Sequence, residues 1–335
     1  MMKTKAVINK LLASKDPAIQ LKVHLRLLGN DYKSREVQKI ASIIKERSPV
    51  VSGLFNALSA QEKLFKIRKV GEGRVYKKWE GIHWVLADLA DIGYPPGDQT
   101  LLTSIKLELN WLLSKKRWAS KKTINNRRRF CASQEGNGLF SIISLGLAEY
   151  VWEACTTLAD RLITYQWEDG GWNCDVRPEA INSSYHESAI PLRALNIFER
   201  KTNDQVARKA IDQASELFLK RQFYKRRSTN KIIDKQWTKL SYPSYWMYNI
   251  LFGLKVIAEC GKVKDHRCKE ALKLLESKEL TEGGFPAEKR NFFRNKRSRY
   301  SPVDWGEVNK KKMNEWVTID ALYILKEANR IDVEI

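Results

Sequence analysis

The sequence predicts an all-α protein: a barrel of inner and outer helices behind a short helical lead-in. Three observations carry this. Breakers are scarce, with 9 Pro and 17 Gly in 335 residues, a composition that favours helices. From residue 78 onward, apolar and charged helical patterns alternate along the chain. Helices that are apolar nearly all round are buried, whereas those with one polar face lie outside.

The lead-in is assigned to residues 1–65 and the repeated domain to 66–335. Asp16 before Pro17 reads as an N-cap with proline at the first helical position. Ile19, Val23, Leu27 and Leu28 then recur at helical spacing. A second run follows at Val37, Ile40, Ile43 and Ile44, and Pro49 starts a third. The first thirteen residues are basic, then mildly apolar, and are broken by Asn9 and Lys10; they do not read as a signal peptide.

Within the repeated domain the apolar helices are expected over 81–93, 138–150, 185–198, 245–260 and 315–328. Their charged partners are expected over 98–114, 151–167, 203–221 and 265–278. Units of this size mean an array in which no repeat buries its apolar face alone. Turns from inner to outer helices are short. The returning connections are long, and three of them are basic. Residues 115–129 carry eight Lys/Arg and no acid, 220–239 eight and one acid, and 285–312 nine against three acids. These loops hold 25 of the 60 basic residues. Together with the N-termini of inner helices they predict one electropositive rim for an anionic ligand. The competing reading is a set of solvated loops.

Net charge is +21, which points to anionic partners such as nucleic acid or phosphorylated small molecules, or simply to solubility. The five cysteines are scattered, with no CxxC pair. That argues against a disulfide framework or a zinc ribbon and suits a reducing cytoplasm. No window holds 18 consecutive apolar residues, so no membrane span is expected.

Several groups invite a functional reading beside a structural one. Aromatic residues gather at inner-helix starts: Trp79 and Trp84 with His83 between them, then Tyr185, Tyr245, Trp246 and Tyr248. They read either as core or as the lining of an apolar cavity whose ring faces stabilise cations. Cys131 to Gly138, including Asn137, reads as a glycine-rich approach for backbone N–H groups to a ligand. Asn173, Cys174 and Asp175 read as a polar turn, as catalytic groups, or, with His186, as a three-ligand zinc site. Asp175 would serve as a general acid if desolvated. Ser184 and Glu187 fit a capping box.

Residues 158–175 read LADRLITYQWEDGGWNCD. Gln166, Gly170 and Trp172 resemble the QxxxGxW core of the QW repeat in the squalene cyclase and prenyltransferase α/α-toroid superfamily. Gly283-Gly284-Phe285 is an echo of it. The resemblance covers about three quarters of the chain, residues 78–328. It implies a toroid fold in which Gln166 and Trp172 staple helices. It further implies an isoprenoid enzyme, terpene cyclase-like or prenyltransferase-like, with an apolar, diphosphate-bearing substrate in an aromatic-lined central cavity. Asp175, His186 and Glu187 would then handle protons, and the aromatic set with Cys131, Asn137, Trp172 and Asn173 would bind substrate. The cofactor is left open, with zinc and magnesium as the candidates. The DxDD and DCTAE motifs of that superfamily are absent from the chain. The alternative is a non-catalytic helical-repeat module that binds nucleic acid or another anion through the basic rim.

Overall fold

The computed structural model describes residues 2–67, 71–293 and 300–333. It is mostly helical. In chain order the helices are α1 (Met2–Leu12), α2 (Pro17–Arg26), α3 (Arg35–Arg47), α4 (Pro49–Ile67), α5 (Ile82–Ile92), α6 (Leu102–Leu112) and α7 (Lys115–Ala119). Then follow α8 (Ala132–Ser144), α9 (Trp152–Thr164), α10 (Tyr185–Thr202), α11 (Gln205–Leu219), α12 (Ile250–Glu259), α13 (Lys269–Glu276) and α14 (Glu315–Glu327). One antiparallel hairpin, β1 (Lys122–Ile124) and β2 (Arg127–Arg129), lies between α7 and α8.

Most of the expected helices form. Asp16 caps α2 by accepting from the Ala18 amide at 2.9 Å. The inner helix expected at 138–150 instead starts at Ala132 and ends at Ser144. The one expected at 245–260 starts at Ile250, where Asn249 caps it by accepting from the Phe252 amide. Helix α1, helix α7 and the hairpin were not expected from periodicity. Four arginine and lysine residues of the third basic connection fall within 294–299, outside the described residues.

The chain divides into two compact units. The first comprises Met1–Asn56, Ile92–Pro95 and Leu219–Ile335. The N-terminal helices thus share a unit with the C-terminal third of the chain. Here α2 packs on α3 and α14, and α12 packs on α14. Lys22 of α2 and Lys255 of α12 both reach Asp320 of α14 at 2.9 Å, all three almost fully buried. Lys22 also sits over the Tyr242 ring, 4.5 Å from its centroid. Buried charge is tolerated only with such pairing.

The second unit comprises Ala57–Asp91 and Pro96–Phe218. Its centre is the packing of α8 on α10. Gly136 makes that approach possible, because a Cβ there would lie 2.9 Å from the Pro191 nitrogen. The glycines expected to admit a ligand therefore admit a neighbouring helix. Buried Glu135 of α8 receives Arg117 at 2.6 Å and Arg161 at 3.3 Å. His83 of α5 pairs through Nδ1 with Glu108 of α6 at 2.7 Å, both fully buried. No described helix is long and apolar enough to cross a membrane.

Candidate metal centre

The glycine-rich turn at 166–172 positions the site. Gly170 has φ +95°, and a Cβ there would collide with the Gln213 carbonyl, so the position needs glycine. Gln166 donates from Nε2 to the carbonyls of Gly170 and Ala210, both at 2.9 Å. Trp172 is fully buried and donates from Nε1 to Leu162 O at 2.9 Å. Its amide donates to Ser188 Oγ at 3.1 Å. Ser184 N in turn donates to Trp172 O at 2.8 Å. These bonds tie the end of α9 to the start of α10 and fix the segment that carries Cys174.

Three side chains from three segments converge there: Cys131 at the N-terminus of α8, Cys174 after the turn, and Glu187 in the first turn of α10. One ligand atom from each, two Sγ and a carboxylate oxygen, lie within 4.8 Å of one another, and all three residues are half-buried. Glu187 does not close a capping box with Ser184, whose side chain makes no cap hydrogen bond. Instead its Oε2 accepts from the Ser133 amide at 3.0 Å, drawn to the positive end of α8.

The electrostatics follow from this crowding. Hydrogen bonding with Cys174 holds Cys131 below its ordinary pKa. The same bond, then burial, raises Cys174. Desolvation raises Glu187, opposed by its bonds to Ser133 and Cys174. Tyr76 is raised by burial and by the neighbouring Cys131, Glu187 and Cys174, while a hydrogen bond with Gln134 opposes the shift. Two thiols and a carboxylate at this spacing cannot all ionise cheaply without a cation. A divalent metal displaces such protons. Two sulfurs and one oxygen are a donor set that would suit zinc.

The expected zinc set of Cys174, Asp175 and His186 is therefore not the one brought together. Cys131 and Glu187 stand with Cys174 instead. Asp175 points to Arg177, with Oδ2 accepting from Nη2 at 2.5 Å. This pairing lowers its pKa to about 2, opposite to the shift a general acid needs. His186 is half-buried and, one residue before Glu187, is turned about 100° around the helix. Asn173 donates from Nδ2 to Asn182 O at 2.9 Å and braces the loop.

The aromatic residues pack mainly on one another. Trp79 and Trp84 are buried with centroids 4.6 Å apart, and His83 stands 4.8 Å from Trp84. Asn137 approaches His83 Nε2 at 3.5 Å. Tyr185 stacks edge-on against Phe218 at 5.0 Å. In the other unit Tyr245 donates to Ser301 Oγ at 3.4 Å, Tyr248 donates to Phe223 O at 3.0 Å, and Trp246 is half-buried. Tyr76 and Glu108 carry no signal in the sequence, because neither belongs to a spaced motif, and Ser133 lies in the Cys131–Gly138 stretch without a role of its own there. The chain matches no protein-family model, no curated protein and no solved structure.

Proposed function

We propose that the chain is a zinc-dependent enzyme whose metal is held by Cys131 Sγ, Cys174 Sγ and the Glu187 carboxylate. The convergence of these three ligand atoms within 4.8 Å, from three separate segments, carries the reading. Bound there, zinc would act as a Lewis acid or activate a water or thiol at its open position. The chain's own part is to hold the ligands: Ser133 orients Glu187, and the turn at 166–172 orients Cys174. Tyr76, hydrogen-bonded to Gln134 beside the cluster, would stay protonated and serve as a donor at the site's edge.

The QW-like turn supports a finer reading, an α/α-toroid with prenyltransferase-like or cyclase-like activity on an apolar, diphosphate-bearing isoprenoid. The test is metal analysis with native mass spectrometry of the purified protein. About one zinc per chain is expected, lost in Cys174→Ser and in Glu187→Gln, with binding weakening as pH falls because thiols must deprotonate. A protein that retains no zinc after reconstitution, or variants that bind it unchanged, would overturn the metal centre. A co-purifying isoprenoid would support the finer reading, and its absence after incubation with isoprenoid diphosphates would remove it.

A further inference from the structure

We infer that the β1–β2 hairpin, with the segment that follows α9, forms a receptor for the phosphate group of a small ligand. This site is separate from the thiol–carboxylate centre. Asn125 and Asn126 join the strands in left-handed conformation, φ 51° and 57°, the geometry of a tight two-residue hairpin turn. The turn sets Lys122 opposite Arg129 and Thr123 opposite Arg128. Residues 115–129 hold no acid.

The guanidinium groups are rigidly mounted. Arg128 lies 4.8 Å from the Trp118 ring and 5.9 Å from Tyr165. Arg127 and Arg129 lie 5.3 and 4.4 Å from Trp167. Stacking on rings fixes the plane of an arginine and lowers the entropy lost when it meets an anion. Backbone carbonyls occupy one end of two of them: Arg128 Nη2 donates to Trp118 O at 2.8 Å, and Arg129 Nη1 to Ala180 O at 2.6 Å.

What remains is donor capacity with no acceptor. Arg128 Nε, and Arg129 Nε and Nη2, are buried and make no hydrogen bond. Such groups are costly to leave unmade. Nε and Nη2 share one edge of the guanidinium, the edge that takes two oxygens of a single phosphate or carboxylate; Arg129 has that whole edge unmade, whereas Arg128 offers only Nε, its Nη2 being taken by Trp118 O. Arg129 as a whole is 2% exposed. The acids nearby do not answer this demand. Asp175 is committed to Arg177, and Glu168, 95% exposed, approaches only Arg127, at 3.9 Å.

A cleft of about 210 Å³ opens at the hairpin turn, with Arg127, Arg128, Tyr165 and Trp167 on its walls and the exposed carboxylate of Glu168 at its edge. It has room for a phosphate or pyrophosphate group and little more. Arg129, next along the strand, is buried behind the cleft and not among its lining residues, so it contributes charge to the field and the direct donors are those of Arg127 and Arg128. The ligand class is therefore a small phosphorylated compound, bound through its phosphate oxygens.

The test is calorimetric titration of the full chain with pyrophosphate, for the wild type, Arg128→Lys and Arg127→Gln. Arg128→Lys keeps the charge and removes the planar donors. Expected is saturable binding by the wild type, weakened about tenfold in each variant, with unchanged zinc content. Unchanged zinc content separates this site from the metal centre, so either can fail alone. No binding of pyrophosphate by the wild type, or binding by both variants as tight as the wild type's, overturns the proposal. A single-stranded oligonucleotide that binds where pyrophosphate does not would overturn it too, in favour of a nucleic-acid surface.

Discussion

Two turns of the molecule, at 167–188 and at 280–318, are built on one plan and carry different side chains. In the first, Trp167 N donates to Gly171 O at 2.8 Å, and in the second Leu280 N donates to Gly284 O at 3.0 Å. Trp172 N donates to Ser188 Oγ at 3.1 Å, and Phe285 N donates to Thr318 Oγ1 at 2.9 Å. Ser184 N bonds Trp172 O, and Asn314 N bonds Phe285 O. Each pair closes a glycine turn onto the first turn of the following helix. Yet where the first turn places Cys174 and Glu187, the second places Ala287 and Val317, both buried. The shared parts are architecture. The parts that differ are candidates for chemistry, because no backbone requirement explains two thiols and a carboxylate in contact.

The glycines offer the largest test of that equivalence. Gly170 and Gly283 both have positive φ, +95° and +84°. An added Cβ meets the Gln213 backbone carbonyl at Gly170, but only Val7 Cγ2 at 2.7 Å at Gly283. A backbone atom cannot step aside, and a valine methyl can. Gly170→Ala should cost about 3 kcal/mol, from conformation plus collision, and Gly283→Ala about 1–2 kcal/mol, from conformation alone. Urea denaturation of the two variants measures the gap. Equal costs would mean that the two turns are more alike in packing than their contacts suggest.

The hydroxyls come next. Ser188→Ala and Thr318→Val each strip a buried amide, that of Trp172 or Phe285, of its acceptor, at about 1–2 kcal/mol apiece. Similar losses are expected from both, since both bonds are buried. A loss at Thr318 with none at Ser188 would break the parallel, and would mean that the first turn is held by Gln166 and the Trp172 indole rather than by this bond.

The residues show why the sequence was readable in some places and not in others. Helix periodicity and the Asp16 cap depend on local spacing, so α2, α5, α10 and α14 were legible. Gln166 and Trp172 bond as their spacing suggested, because the turn is short. The centre was legible only in fragments. Cys131, Cys174 and Glu187 were each singled out, but Cys131 is 43 residues from Cys174 and 56 from Glu187, and only the α8–α10 packing joins them. Glu187 has the right spacing from Ser184 for a capping box, beside the proton-handling role that the resemblance implies. The positive end of α8 won the carboxylate, an outcome set by a helix distant in sequence. The basic run 115–129 was legible as a loop suited to an anion, but the unmade arginine bonds were not, since satisfaction of a donor is a property of three-dimensional surroundings.

The smallest expected effect concerns the acid two residues after each closing turn segment begins its loop: Asp175 in the first and Glu288 in the second. Glu288 is half-buried, with Lys278 at 2.7 Å and the Leu240 amide at 2.8 Å. Asp175 pairs with exposed Arg177, which lowers its pKa from 3.8 to about 2. A carboxyl whose folded pKa lies below its unfolded value stabilises the fold above the unfolded pKa, and that contribution is lost as pH falls through the folded one. The difference in denaturation midpoint between wild type and Asp175→Asn should therefore be constant above about pH 4 and vanish toward pH 2. It should be small throughout, because solvent screens an exposed pair, and smaller than the effect of Glu288→Gln. Zinc content should not change in Asp175→Asn. A variant that loses metal would make Asp175 a ligand and return the centre to the Cys174–Asp175 pairing first suggested by the sequence, whereas a metal-replete variant with a larger stability loss than Glu288→Gln would show that the first turn, not the second, leans on its acid.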